Sequence, residues 1–142
     1  MEASDKLRDK MKEFEGFRLK AYRDCAGIPT IGVGHTLGVK MGMSITESQA
    51  EALFKKDIRV YEAEINRIPE ADTQGKFDAL VDFAFNCGIG NLLGSTLMKK
   101  IRSNAPYPDI REQFLKWNKS GGIIRQGLVK RREWEAERWL EK

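Results

Sequence analysis

Glu15, Asp24, Thr30 and His35 are the residues of this chain whose types and spacing could do chemistry. They fall within one stretch, "EGFRLKAYRDCAGIPTIGVGH", residues 15–35, and His35 is the only histidine. Two carboxyl groups in different surroundings can divide the work of breaking a glycosidic bond: one holds a proton for the leaving oxygen, and the other stays ionised and activates water. Glu15 directly precedes Gly16 and sits on the last turn of a predicted helix. A negative charge there faces the negative end of the helix dipole, a placement unfavourable by ~0.3–1 kcal/mol when exposed. A carboxylic acid that keeps its proton can serve as a general acid. Asp24 opens a short turn, where a solvated carboxylate is expected, and Thr30, expected across the hairpin from it, offers a hydroxyl that could hold a water. A plainer alternative stands beside this one. A Glu at a helix end is commonly just solvated, and an Asp ahead of a Gly is a common turn former.

The elements that must position these groups follow from periodicity. Ser4 is a plausible N-cap for a helix over about 4–15 whose apolar face is Leu7, Met11 and Phe14, and Gly16 ends it. A small β lobe over about 16–45 follows. "RLKAYR" alternates like a strand, "DCAG" places Asp first and Gly fourth in a type I turn, and "TIGVGH" returns. The two glycines of the returning strand would weaken it unless another backbone or a ligand approaches closely. "GVKMGMS" reads as a loop. Thr46 and Gln49 form a capping box for a long connecting helix over about 47–68, with Ala50, Leu53, Phe54, Ile58, Tyr61, Ile65 and Ile68 at helical spacing up to Pro69. A helical lobe over about 70–142 completes the chain. Its central helix, "FDALVDFAFNCG", is apolar almost all round and stops at Gly88. Helical pieces around "STLMKKI" and "DIREQFLKW" follow, and a last helix starts after Gly121–Gly122. The expected architecture is a single α+β domain, predominantly helical, with a small antiparallel hairpin lobe and a helical lobe joined by a long helix. A cleft between lobes is a common ligand site.

At 142 residues, 41% hydrophobic and 32% charged, the chain is long enough to bury a core without metal or disulfide staples. Cys25 and Cys87 lie far apart with no CxxC spacing. Two reduced thiols, with Cys87 near a buried face, are favoured over one disulfide. One histidine and two cysteines do not make a Cys/His zinc site, so no metal is expected. The first sixteen residues are charged and carry no apolar leader, so the chain as given is expected to stay in the compartment where it is made, without stable membrane insertion. The net charge of +4 favours a polyanionic partner, and nucleic acid and acidic wall polymers fit it equally. No nucleic-acid signature accompanies the charge, and the basic residues are interleaved with acidic ones.

The stretch 15–35 resembles the catalytic segment of the phage-type lysozymes, or endolysins, a glycoside hydrolase family. That family carries Glu, eight residues, Asp or Cys, five residues, Thr, then I-G-x-G-H. Glu15, Asp24, Thr30 and "IGVGH" match with that spacing, as do Gly16, Leu19 and Tyr22. "TESQAEALFKKD", "ALVDFAFNCGIGNLLGSTL" and the pattern from Trp117 to Trp139 extend the likeness over nearly the whole chain. The resemblance implies a lysozyme fold and hydrolysis of the β-1,4 bond between N-acetylmuramic acid and N-acetylglucosamine in peptidoglycan.

By the same resemblance Glu15 is the general acid, Asp24 the base or charge stabiliser, and Thr30 the water-positioning group. Inversion at the anomeric carbon is expected, and no cofactor. His35 pairs with Asp57 as a structural ion pair. Thr36, Phe85, Asn86 and Thr96 match substrate-contact positions, with core packing an equal alternative for Phe85. An Arg of the last helix, Arg131 by its spacing to Trp139 with Arg132 as competitor, pairs with the catalytic Glu. Trp117, Trp134 and Trp139 are expected to pack in the helical lobe. The protein is expected to act on peptidoglycan as a monomer, with no nucleic-acid partner, after release to the wall, a holin being one route. Two rival readings are a lytic transglycosylase on the same bond and a non-catalytic wall-binding module. A module would be expected to have lost Glu15 or Asp24, and both remain.

Overall fold

A computed structural model describes residues 1–142. Seven helices and two small antiparallel hairpins follow one another: α1 (Asp5–Glu15), β1 (Arg18–Arg23), β2 (Pro29–Gly32), α2 (Glu47–Ile65), α3 (Gln74–Cys87), α4 (Ile89–Leu93), α5 (Thr96–Arg102), α6 (Tyr107–Leu115), β3 (Lys119–Ser120), β4 (Ile123–Ile124) and α7 (Gln126–Leu140). The contacts divide the chain into two compact units, Asp5–Val60 and Met1–Ser4 with Tyr61–Lys142. The α+β, mainly helical class is the one expected.

In the Asp5–Val60 unit, α1 buries Leu7 and Met11 completely, and its last turn closes when the Gly16 N–H bonds the Lys12 carbonyl at 2.8 Å. Each fully buried side chain of this size contributes ~1.5–3 kcal/mol. The hairpin pairs Tyr22 with Thr30 and Arg23 with Pro29, with an irregularity between Arg18 and Tyr22. Thr30 therefore stands opposite Tyr22, two residues from the expected partner Asp24, because the turn takes up the residues between Asp24 and Ile28. Met43 and Ser44, expected as plain loop, lie with Ile45 along the other edge of β1: Ala21 N–H bonds Met43 O at 2.9 Å, and Ile45 N–H bonds Leu19 O at 2.8 Å. The α2 capping box is formed in both directions, Gln49 N–H to Thr46 Oγ1 at 3.1 Å and Thr46 N–H to Gln49 Oε1 at 2.8 Å. A Lys12–Glu51 ion pair ties α1 to α2. The helix ends at Ile65, short of the expected 68. Ile68 stays buried in the turn that follows, which is why its spacing imitates a further helical turn.

In the other unit, α3 is buried from Phe77 to Ala84, with Thr73 as N-cap and Gly88 closing the helix through its N–H to Ala84 O at 2.8 Å. Helix α7 lies against it so closely that a Cβ on Gly75 would stand 1.8 Å from the Glu141 carbonyl oxygen. Two aspartates interrupt the apolar surface of α3, and both are fully buried. Asp78 accepts from Arg138 Nη2 at 2.8 Å, from Gln74 at 2.8 Å and from the Ser4 hydroxyl. Asp82 receives Arg131 in a two-pronged pair, Nε at 2.9 Å and Nη2 at 2.8 Å. A buried carboxylate is tolerable only when paired in this way. Phe83 packs edge-on to Trp117 at 5.3 Å, and Phe114 tilts on Trp139 at 6.0 Å, so half-buried Trp117 and buried Trp139 pack in the helical lobe as expected. The Gly121–Gly122 pair, expected only to precede the last helix, is the turn of the β3–β4 hairpin, with φ of +61° and +77°.

Candidate active site

Glu15, Asp24, Thr30, His35, Thr36 and Asp57 all belong to the Asp5–Val60 unit. Glu15 ends α1, and the Tyr22 hydroxyl donates to its backbone carbonyl at 3.3 Å, fastening the helix end to β1. The Glu15 carboxyl lies over the backbone of Gly34. A Cβ at that glycine would stand 3.1 Å from Glu15 Cδ and 3.2 Å from Oε2. Gly34 itself has φ +65° in the tight return where Ile31 and His35 exchange backbone hydrogen bonds at 2.9 and 3.0 Å. The close approach that the strand glycine implied is thus made by the candidate acid.

Asp24 serves the turn and leaves one oxygen over. Its Oδ1 accepts from the backbone N–H groups of Ala26 and Ile28, each at 2.9 Å, and the Gly27 N–H closes on its carbonyl at 2.9 Å with Gly27 at φ +80°. Its Oδ2 accepts nothing from the protein. Thr30 is 3% exposed, and its hydroxyl donates to the Ile28 carbonyl at 2.8 Å, so its oxygen is left as an acceptor.

Burial pushes the Tyr22 phenol above the ordinary tyrosine value. The Arg18 guanidinium, 4.3 Å from the ring centroid, works against this, while the negative charges of Glu15 and Asp24 both push with burial. The sequence marks Tyr22 only as a match to the family pattern, and nothing in its type or spacing ties it to the acids.

His35 Nδ1 lies 2.6 Å from Asp57 Oδ2, and Nε2 lies 2.9 Å from the Leu37 carbonyl. Both ring nitrogens are engaged, which suits the structural role. Thr36 is exposed. Phe85, Asn86, Thr96 and Arg131 belong to the other unit. Phe85 is half-buried and tilts against Tyr61 at 5.2 Å, Asn86 is half-buried, and Thr96 is exposed at the start of α5. The Arg131 guanidinium engages Asp82, and the neighbouring Arg132, fully buried, faces Glu135 with Nη2 2.8 Å from Oε2. Cys25 and Cys87 are both free thiols. No group of three or more His, Cys, Asp or Glu side chains is placed to hold a metal ion, and no helix is long and apolar enough to cross a membrane.

The chain belongs to the phage lysozyme family, which consists of glycosidase-type hydrolases: the family model described as phage lysozyme matches residues 12–135. It is 41% identical over 137 residues to the endolysin of Bacillus phage B103, covering 92% of this chain but only 51% of that protein, so it spans about half of that relative's length. It is 38% identical to the endolysin of Acyrthosiphon pisum secondary endosymbiont phage 1, with 95% of each chain covered. A solved endolysin from Escherichia coli O157:H7 phage FAHEc1 matches with a TM-score of 0.87 and 38% identity over 99% of this chain and 94% of that one.

Proposed function

We propose that this chain is a peptidoglycan muramidase that hydrolyses the β-1,4 bond between N-acetylmuramic acid and N-acetylglucosamine with inversion. Glu15 gives its proton to the glycosidic oxygen as the bond to the anomeric carbon breaks. Water attacks that carbon from the opposite face of the sugar. Two hydrogen-bond acceptors face this water: Asp24 Oδ2, which takes its proton, and the Thr30 oxygen, whose own hydrogen is committed to Ile28. With both hydrogens of the water directed to acceptors, a lone pair is turned toward the sugar. Asp24 Oδ1 is fixed by two backbone N–H groups, which supports Oδ2 as the base.

The observation that carries this reading is Asp24, whose Oδ1 is fixed by two backbone N–H groups while Oδ2 accepts nothing, together with the Glu15 carboxyl held over Gly34. Thr36, Phe85, Asn86 and Thr96 would contact the glycan, and peptidoglycan reached after release from the cytoplasm would be the natural substrate.

Glu15→Gln keeps the shape and removes the dissociable proton. Hydrolysis of purified peptidoglycan should drop by at least the ~10²–10⁴-fold ascribed to general acid–base catalysis, with binding to the wall retained. Mass spectrometry of the products should show new reducing muramic acid ends. Anhydro ends would transfer the activity to a lytic transglycosylase, and a folded variant cleaving at the wild-type rate would remove Glu15 from the mechanism.

A further inference from the structure

The Tyr61–Lys142 part of the molecule holds a cavity of about 300 Å³ at the ends of α5 and α7, and none of its lining residues takes part in the proposed chemistry. Its apolar wall is Ile101, Ile110 and Trp139, each almost fully buried. Its polar wall carries Glu70 and Arg102 together with a Lys76–Asp72 pair at 3.3 Å. That pair is self-neutral, and the Lys76 ammonium also rests 5.4 Å from the centre of the Trp139 ring.

The other two charges are uncommitted. Glu70 Oε2 is buried and has no hydrogen-bond partner. A buried acceptor left in this way is costly, more so when charged, until a donor arrives. Arg102, on the last turn of α5, makes no ion pair, and its guanidinium is suited to gripping a carboxylate two-pronged. Glu70 and Arg102 line one cavity without satisfying each other.

We propose that this cavity binds a zwitterionic amino-acid head carried on an aliphatic arm. The ammonium of the ligand donates to Glu70, its carboxylate accepts from Arg102, and the methylenes lie against Ile101, Ile110 and Trp139. A wall whose peptide stems contain a diamino dicarboxylic acid presents such a head wherever a stem is not cross-linked. A stem built on lysine presents an ammonium alone. The cavity would then favour the first wall type. That last step rests on the muramidase reading, whereas binding of the small molecule does not.

The test is a titration of the ¹⁵N-labelled full chain with meso-diaminopimelate, followed by NMR. Pimelate, which lacks the amines but keeps the carboxylate spacing, and cadaverine, which lacks the carboxylates but keeps the amine spacing, serve as controls. Saturable shifts are expected at Arg102, Asn104, Ile110 and the Trp139 indole, at least tenfold weaker with either control. Glu70→Gln and the exposed-site variant Arg102→Ala should each weaken binding by a similar factor, and the second keeps the test valid if the first perturbs folding. Absence of saturable shifts, shifts confined to other residues, or equal response to all three compounds would overturn the proposal. Wall hydrolysis measured on the same preparation separates the two readings. A protein that cleaves but does not bind diaminopimelate loses only this site, and one that binds but does not cleave loses only the muramidase assignment.

Discussion

Gly34 leaves room for little more than a hydrogen atom beside the Glu15 carboxyl. Replacing it with alanine brings a methyl group to 3.1 Å from Cδ and forces a side chain into φ +65°, where an L-residue pays roughly 1–2 kcal/mol. The carboxyl must then move by a few tenths of an ångström. Because reacting groups must be held closely, Gly34→Ala should lower hydrolysis about tenfold or more and reduce thermal stability modestly. Measured kcat on soluble glycan fragments checks this, and an unchanged kcat would show that Glu15 tolerates displacement. Part of this was legible in the sequence: glycines in a returning strand announced a close approach. What approached was not, because a carboxylate nineteen residues earlier in the chain reaches Gly34 only through the fold. Asp24 shows the same boundary. Both readings of it, turn former and base, describe the same residue, one per oxygen, and spacing cannot divide a carboxylate in two.

At the scale of elements, the span of α1, the start of α2 and the stop of α3 were carried by local chemistry: glycine stops, a capping box and apolar spacing. The β3–β4 hairpin was missed because strands of two residues are too short for alternation to show, although a Gly–Gly turn was present. The buried ion pairs were missed for another reason. "FDALVDFAF" reads as an apolar helix, yet Asp78 and Asp82, four residues apart, demand cations, and Arg138 and Arg131 of α7 supply them at a spacing of seven. Glu135, fully buried, is paired with Arg132, whose Nε lies 2.8 Å from Oε1. Burial nevertheless pushes Glu135 well above the ordinary glutamate value, and Asp82 adds to the push against Arg132 and Arg131. Burial alone would also raise Asp82, but the Arg131 charge beside it helps hold it below the usual range. The two groups affect stability with opposite signs. Asp82 stabilises above its unfolded value and loses that contribution as pH falls through the folded one. Glu135 contributes fully below its unfolded value, about 4.3, and the contribution fades as pH climbs toward the folded value. Glu135→Gln keeps the shape and removes this second dependence. The variant's Tm should therefore gain on that of the parent between pH 4 and pH 8. Parallel Tm curves over that range would show that Glu135 folds ionised.

At the scale of the whole molecule, 25 lysines and arginines stand against 21 aspartates and glutamates, a net charge of +4. The buried pairs Arg131–Asp82 and Arg138–Asp78 cancel internally, so the excess is carried by the rest of the chain, most of it at the surface. A bacterial wall with acidic polymers attracts such a surface over distances set by the Debye length, about 10 Å at 0.1 M salt and about 3 Å at 1 M. Capture by the wall should therefore weaken with salt, while the chemical step on an already bound, uncharged sugar should not. Lysis of permeabilised cells is expected to fall more steeply between low and high salt than cleavage of short neutral chitin-type oligosaccharides assayed in parallel. The initial rate should carry the difference, because steering acts on encounter rather than on turnover. If both substrates lose rate in the same proportion, salt is acting on the enzyme itself, and long-range attraction has no part in bringing this protein to its substrate.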